Sequence, residues 1–190
     1  MPQVQEVLRA QLRKLIPGEL PWPLYVWSKQ PGTGKTSAAL AMLDHCGPIV
    51  DPTWFSSDHA RDAFAGFLDL TTLPRLVEQL ARGMIKRADA DSSGMTVTES
   101  QFWNQISRAK LIVIDDIRVP GQKEIKLGED HYSVLKRILD ERVQRPLIVT
   151  SNIAPWGEPS ELVHAFDDRI ADRMASGSVV ELAGESRRWE

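Results

Sequence analysis

The 190-residue sequence has a single cysteine, Cys46, so it has no intramolecular disulfide to draw on and fits a reducing compartment. It has no apolar run near the roughly 20 residues that a membrane-spanning helix needs. Its opening stretch, MPQVQEVLRAQLRKLIPGEL, scatters charge throughout and has no continuous apolar centre, so a secretory signal is not expected there. The expected compartment is the cytoplasm, with no membrane partner. A strong charge of either sign is also missing. Lys and Arg number 23 against 26 Asp and Glu, for a net charge of −3, which argues against indiscriminate electrostatic binding to nucleic acid and leaves room only for a local basic face. The histidines, His45, His59, His131 and His164, show no metal-ligand spacing. There is no internal repeat and no low-complexity tract.

What is present is the composition of an ordinary globular chain, 42% hydrophobic and 26% charged, long enough to bury one substantial core. Val4, Val7, Leu8, Leu12 and Leu15 recur at helical spacing, which predicts an amphipathic helix ended by Pro17-Gly18. "PLYVWS" (23–28) reads as a strand, a glycine-rich turn follows, and "KTSAALAMLDHC" (35–46) reads as a helix closed by Gly47. The stretch from Pro48 to about Ala63 carries no clear pattern. "AGFLDL" (65–70) predicts a strand, and "LPRLVEQLARGMIKRA" (73–88) a helix. After the loop "DADSSGM" (89–95), "TESQFWNQISRA" (98–109) is a helix with a capping pattern at its start. "KLIVIDDI" (110–117) has the continuous apolar character of a central parallel strand. A polar loop (118–130) leads to the helix "HYSVLKRILDERVQ" (131–144), stopped by Pro146, and to the strand "LIVTSN" (147–152). Helices alternating with apolar strands predict an α/β fold with a mostly parallel sheet.

The chemistry gathers at the ends of these strands. "SKQPGTGKT" (28–36) carries the closing half of the phosphate-cradle pattern G-x-x-x-x-G-K-[ST] in Gly34, Lys35 and Thr36, with Lys29 where the first glycine would stand. In such a loop successive N–H groups converge on phosphate at a helix N-terminus, and glycines let the backbone come close. Pro31, Gly32, Thr33, Gly34, Lys35 and Thr36 are the expected cradle. Lys35 would neutralise the β and γ phosphates, and the Thr36 hydroxyl would ligate Mg²⁺. The aspartates ending "LIVIDDI" supply Asp115 as a second Mg²⁺ ligand and Asp116 to orient or deprotonate water; alternatively they only cap a strand end. Aspartate is one methylene shorter than glutamate in that role, so slow hydrolysis is expected. Asn152 can hold the water or read the γ-phosphate, or simply form a turn before "IAPWG". In "DDRIADRM" (167–174), Arg169 and Arg173 lie four apart on one face of an expected helix, available either to neighbouring aspartates or as a finger into another subunit's nucleotide.

In this order, "PGTGKT", "LIVIDDI", "LIVTSN", "DDRIADRM" and "ELAGESRR" resemble AAA+ ATPases of the DnaC-type helicase-loader group, with IstB-type transposition ATPases as close relatives. The resemblance covers about residues 20–190. It implies a P-loop NTPase with a RecA-like AAA+ core, preceded by residues 1–19 as a partner-binding segment; as a departure from many AAA+ proteins, no separate helical lid is expected, because the sequence ends just after "GESRR". By the same resemblance Lys35 and Thr36 are Walker A, Asp115 and Asp116 Walker B, and Asn152 sensor 1. Arg173 is the arginine finger, with Arg169 as the alternative, and Arg188 a sensor 2-like arginine. The implied cofactors are ATP and Mg²⁺. The implied partners are a replicative helicase, single-stranded DNA and further copies of the chain in a phage-like, minimal loader. The helical insert before Walker B faces DNA in this group, which singles out Arg75, Arg82, Lys86 and Arg87; the same residues also suit a plain solvated face. Two other readings share the P-loop: an IstB-type transposition helper and a small-molecule kinase.

The one-sided apolar face at the N-terminus yields a first prediction. If it docks the helicase, Leu8→Glu protein melts like wild type and binds ATP, yet fails to co-elute with the helicase. If the face packs on the chain's own core, the variant instead loses several degrees of melting temperature through a buried charge.

Overall fold

The computed structural model describes residues 22–46, 65–69, 73–82, 98–117, 129–156 and 161–183. The expected N-terminal helix and the loops at 89–95 and 118–128 lie outside them. Among the described residues there are five strands and six helices. These are β1 (Leu24–Trp27), α1 (Lys35–Cys46), β2 (Ala65–Asp69), α2 (Leu73–Ala81), α3 (Glu99–Arg108), β3 (Leu111–Ile117), α4 (Glu129–Glu141), β4 (Leu147–Ser151), α5 (Glu161–Ala165), α6 (Asp168–Ala175) and β5 (Ser178–Glu181). The strands form one sheet in the order β2-β3-β4-β1-β5, and every pairing is parallel. Among the described residues no helix is long and apolar enough to cross a membrane.

The apolar runs are continuous because the sheet is covered on both faces. The two-residue period of a strand still divides them. Leu24 and Val26 of β1, Leu111 and Val113 of β3 and Ile148 of β4 pack with Ala38, Ala39, Met42 and Leu43 of α1. Tyr25, Trp27, Ile112, Ile114, Leu147 and Val149 turn the other way, into the larger core. There they meet Phe102 and Ile106 of α3, Leu135 and Ile138 of α4, and Ile170 and Met174 of α6. α1 therefore lies alone on one face among the described helices. Its start is held at the C-terminal edge of the sheet.

Local signals set the helix ends. α3 opens with a capping box: Thr98 Oγ1 accepts from Gln101 N, and Gln101 Oε1 accepts from Thr98 N. Asp167 caps α6 through Ile170 N at 2.7 Å. α4 stops at Glu141, three residues before the expected end, because Gln144 adopts a left-handed φ of 58° ahead of Pro146. β5 carries no strand signal in the sequence. It is a four-residue edge strand, SVVE, only half-buried, and so has no apolar run to announce it.

At the N-terminal edge of the sheet one buried cation ties four elements together. Arg142, 2% exposed, donates to the Ile106, Ser107 and Ala109 carbonyls at 3.1, 3.3 and 2.6 Å and to the Pro146 carbonyl at 2.5 Å. Its guanidinium thereby satisfies carbonyls left over at the negative end of α3 and clamps the starts of β3 and β4. Burial, with a smaller effect of nearby Arg145, pushes its pKa down to about 10, so it is still a cation at neutral pH. Replacing it by methionine keeps the bulk and strands several carbonyls. Arg142→Met is expected to lower the melting temperature by roughly 5–15 °C, read by circular dichroism.

Candidate functional site

The loop from β1 to α1 turns on two glycines. Gly32 and Gly34 have φ of 78° and 93°, values that favour glycine. Ala38 N then donates to Gly34 O at 2.8 Å, and α1 begins with no acidic residue in its first turn. An uncompensated helix N-terminus of this kind attracts anions. Lys35, 8% exposed, lies back over the loop, and its Nζ donates to the Gln30 and Ser28 carbonyls at 3.2 and 3.5 Å. Lys29, which stands where a glycine is usual, turns its side chain out of the loop. It pairs with Glu161 of α5 at 3.4 Å, both side chains well exposed. The cradle therefore closes without that glycine.

Thr36, at the start of α1, donates through Oγ1 to Asp115 Oδ2 at 2.9 Å. Asp115 and Asp116 sit in a bulge, where the pairing of β3 with β4 shifts between Ile114 and Ile117. Asp116 takes a left-handed φ of 57° there. Its N–H donates to Thr150 Oγ1 at 2.9 Å, and Thr150 Oγ1 donates to Asp115 Oδ1 at 2.6 Å. On the far side of Thr150, Asn152 points Nδ2 at Asp116 Oδ1 over 3.5 Å, while its buried Oδ1 has no hydrogen-bond partner among the described residues. The segment carrying Asn152 is fixed from below. Ser151 Oγ donates to Ile117 O at 2.6 Å and accepts from Ile153 N at 3.0 Å, and Tyr25 OH donates to Ile153 O at 3.0 Å. Burial holds the Tyr25 phenol far above its ordinary pKa, so it remains a donor. Glu161 Oε2 accepts from Ala154 N at 3.3 Å, which joins the same segment to Lys29.

The fold thus brings Lys35, Thr36, Asp115, Asp116 and Asn152 to one edge of the sheet. The arrangement offers an anion cradle beside an all-oxygen pair, one hydroxyl and one carboxylate. Arg173 is ion-paired with Asp140 of α4, rather than with an aspartate of its own helix. Arg169 is exposed on α6 and borders an open groove with Pro155, Leu162, Val163 and Asp172. Arg75 on α2 is exposed, and so is Arg82 just beyond its end, which pairs with Glu78 at 2.5 Å. Lys86, Arg87 and Arg188 lie outside the described residues. Thr150 and Glu161 are the residues that sequence reasoning passed over. The signal for Thr150 was a polar residue inside an apolar strand, which must find partners when buried.

No family model and no curated protein sequence matches the chain. Solved structures match its fold. A DnaC helicase loader matches with a TM-score of 0.63 at 15% identity, over 96% of this chain and 89% of that one. A DNA replication initiation factor matches at 0.58 and 19% identity, over 95% of this chain and 45% of that one. The Aeropyrum pernix ORC1 protein, solved in complex with DNA, matches at 0.55 and 14% identity, over 97% and 46%. The chain therefore spans less than half the length of two of these three proteins. What they share with it is the fold. The chain has the α/β P-loop NTPase fold, as expected from its sequence.

Proposed function

We propose that the chain is an AAA+ ATPase of DNA replication initiation, which loads or remodels a replicative helicase on single-stranded DNA in the cytoplasm with ATP as the switch. The observation that carries the ATPase reading is the Thr36–Asp115 hydrogen bond at 2.9 Å, beside a buried Lys35. Its donor set fits Mg²⁺, which takes oxygen ligands, one or two carboxylates at most, and completes its shell with water and substrate phosphate. Among the described residues there is no cluster of three or more His, Cys, Asp or Glu that would suit a metal held by protein alone. Thr36 and Asp115 would hold the ion, whose charge offsets that of the phosphates. Lys35 and the first-turn N–H groups of α1 bind and orient the phosphate chain.

Asp116 and Asn152 stand together at the next position along the edge. Asp116 takes up a proton from the attacking water, and the Asn152 amide, whose Oδ1 has no partner among the described residues, orients that water. A carboxylate this short acts at longer reach, so turnover is slow. Arg173 completes the site of a neighbouring copy. Its pair with Asp140 is partly exposed and costs little to exchange for a phosphate. Helicase loading is favoured by the likeness to the DnaC loader, nearly all of whose length the chain covers. Residues 1–19 and the basic residues Arg75, Arg82, Lys86 and Arg87 are the proposed contacts for helicase and DNA.

Titration with a fluorescent ATP analogue tests the site. Lys35→Ala should weaken binding by roughly tenfold or more, whereas Lys29→Gly should stay within about twofold of wild type because only an exposed ion pair is lost. Equal affinity in wild type and Lys35→Ala would sink the assignment.

Sharing of the site between copies has its own test. Arg173→Ala and Asp116→Asn proteins should each hydrolyse ATP poorly, and mixing them should restore part of the activity, since one kind of interface then has both parts intact. Full activity of both variants separately, or no recovery in any mixture, would show that the site is not shared across an interface.

A further inference from the structure

We infer that the Thr150 hydroxyl is the positioning group for both acidic residues, and that it sets how Asp115 is presented to the cation. This rests on the nucleotide-site reading above. A threonine hydroxyl has one proton to give and lone pairs to accept with. Here the Asp116 N–H occupies a lone pair at 2.9 Å, and the proton goes to Asp115 Oδ1 at 2.6 Å. Asp115 Oδ1 is thereby engaged, and Oδ2 is the oxygen that faces Thr36. The carboxylate is fixed in rotation and offers a single oxygen towards α1.

The same hydroxyl anchors the backbone on the other side. Asp116 sits at a φ of 57° in a bulge, where it has left the regular ladder. Its N–H would be orphaned there without Thr150, which is 1% exposed and out of reach of bulk water. Holding that N–H holds the bulge, and the bulge aims the Asp116 side chain at Asn152. Valine at 150 would keep the shape and the β-propensity of the strand while removing both bonds. The position therefore separates packing from orientation.

The effect should appear in metal-dependent binding before any turnover. The Kd of the fluorescent ATP analogue is measured with Mg²⁺ and with EDTA for wild type, Thr150→Val and Thr150→Ser. In wild type Mg²⁺ should tighten binding. In Thr150→Val that gain should shrink by about tenfold, as expected for the loss of a charge-assisted hydrogen bond. Binding in EDTA should stay within about twofold of wild type, since the cradle is untouched. Thr150→Ser, which keeps the hydroxyl, should recover most of the gain. In an Asp115→Asn background, Thr150→Val should add less than about twofold, because the two act through one carboxylate.

A wild-type gain retained in folded Thr150→Val, or lost equally in folded Thr150→Ser, would overturn the inference. So would an equal loss in EDTA and in Mg²⁺. If Thr150→Val does not fold, Thr150→Ala removes the same hydroxyl and carries the same outcomes. Absence of nucleotide binding by wild type would instead remove the ATPase reading itself.

Discussion

The hydrogen bond from Thr36 to Asp115 joins residues 79 apart in sequence, and it exists only because three strands end level. Ser151, the last residue of β4, is paired with Trp27 at the end of β1 on one side and with Ile117 at the end of β3 on the other. That register brings the loop after β1, the acidic end of β3 and the turn after β4 out at one edge. A one-residue slip of β4 would reverse which face each of its side chains meets and would carry Thr150 out of reach of both aspartates. The alternation of Leu147 and Val149 against Ile148 between the two cores opposes any such slip. Packing of the apolar residues thus fixes the position of the polar ones.

Two buried cations mark the two ends of this sheet. Arg142 spends its fork of donors on main-chain carbonyls of α3 and of the turn before β4. Lys35 lies over the loop carbonyls of Ser28 and Gln30 at distances of 3.5 and 3.2 Å, near the outer limit of a hydrogen bond. The rigid guanidinium suits a permanent clamp. The flexible ammonium, held loosely, suits a group that re-aims at an incoming anion. The sheet edges divide accordingly into one that stabilises and one that carries the proposed binding site.

Much of this was legible because it depended on local rules. The run LIVIDDI could be read as a buried parallel strand from its apolar residues alone, and the Thr98–Gln101 capping box from its spacing. The GKT end of the P-loop announced a helix start, which is where α1 begins. What stayed hidden depended on partners distant in sequence. β5 could not be seen, since an edge strand of three half-buried residues and one exposed one leaves no pattern. Thr150 reads as one more β-former until the bulge in β3 shows what its hydroxyl must hold. Lys29 looked like a defect in the cradle, and only Glu161, far along the chain, explains why its side chain leaves the loop. The partner of Arg173 was equally unreadable, because Asp140 lies on another helix.

β1 is an interior strand, and its pairing does not stop at its last residue. Ser28 N donates to Ser151 O at 3.2 Å, and Leu182 N donates to Trp27 O at 2.8 Å, so both neighbours grip the root of the loop. A beam clamped at its base can bend only beyond the clamp. Here the length beyond the clamp is the crown from Lys29 to Gly34, and its first residue is moored to α5 by one exposed ion pair. The sheet beneath is therefore the fixed frame of the loop, and its tie to α5 is the weak, exposed kind that exchanges readily for solvent.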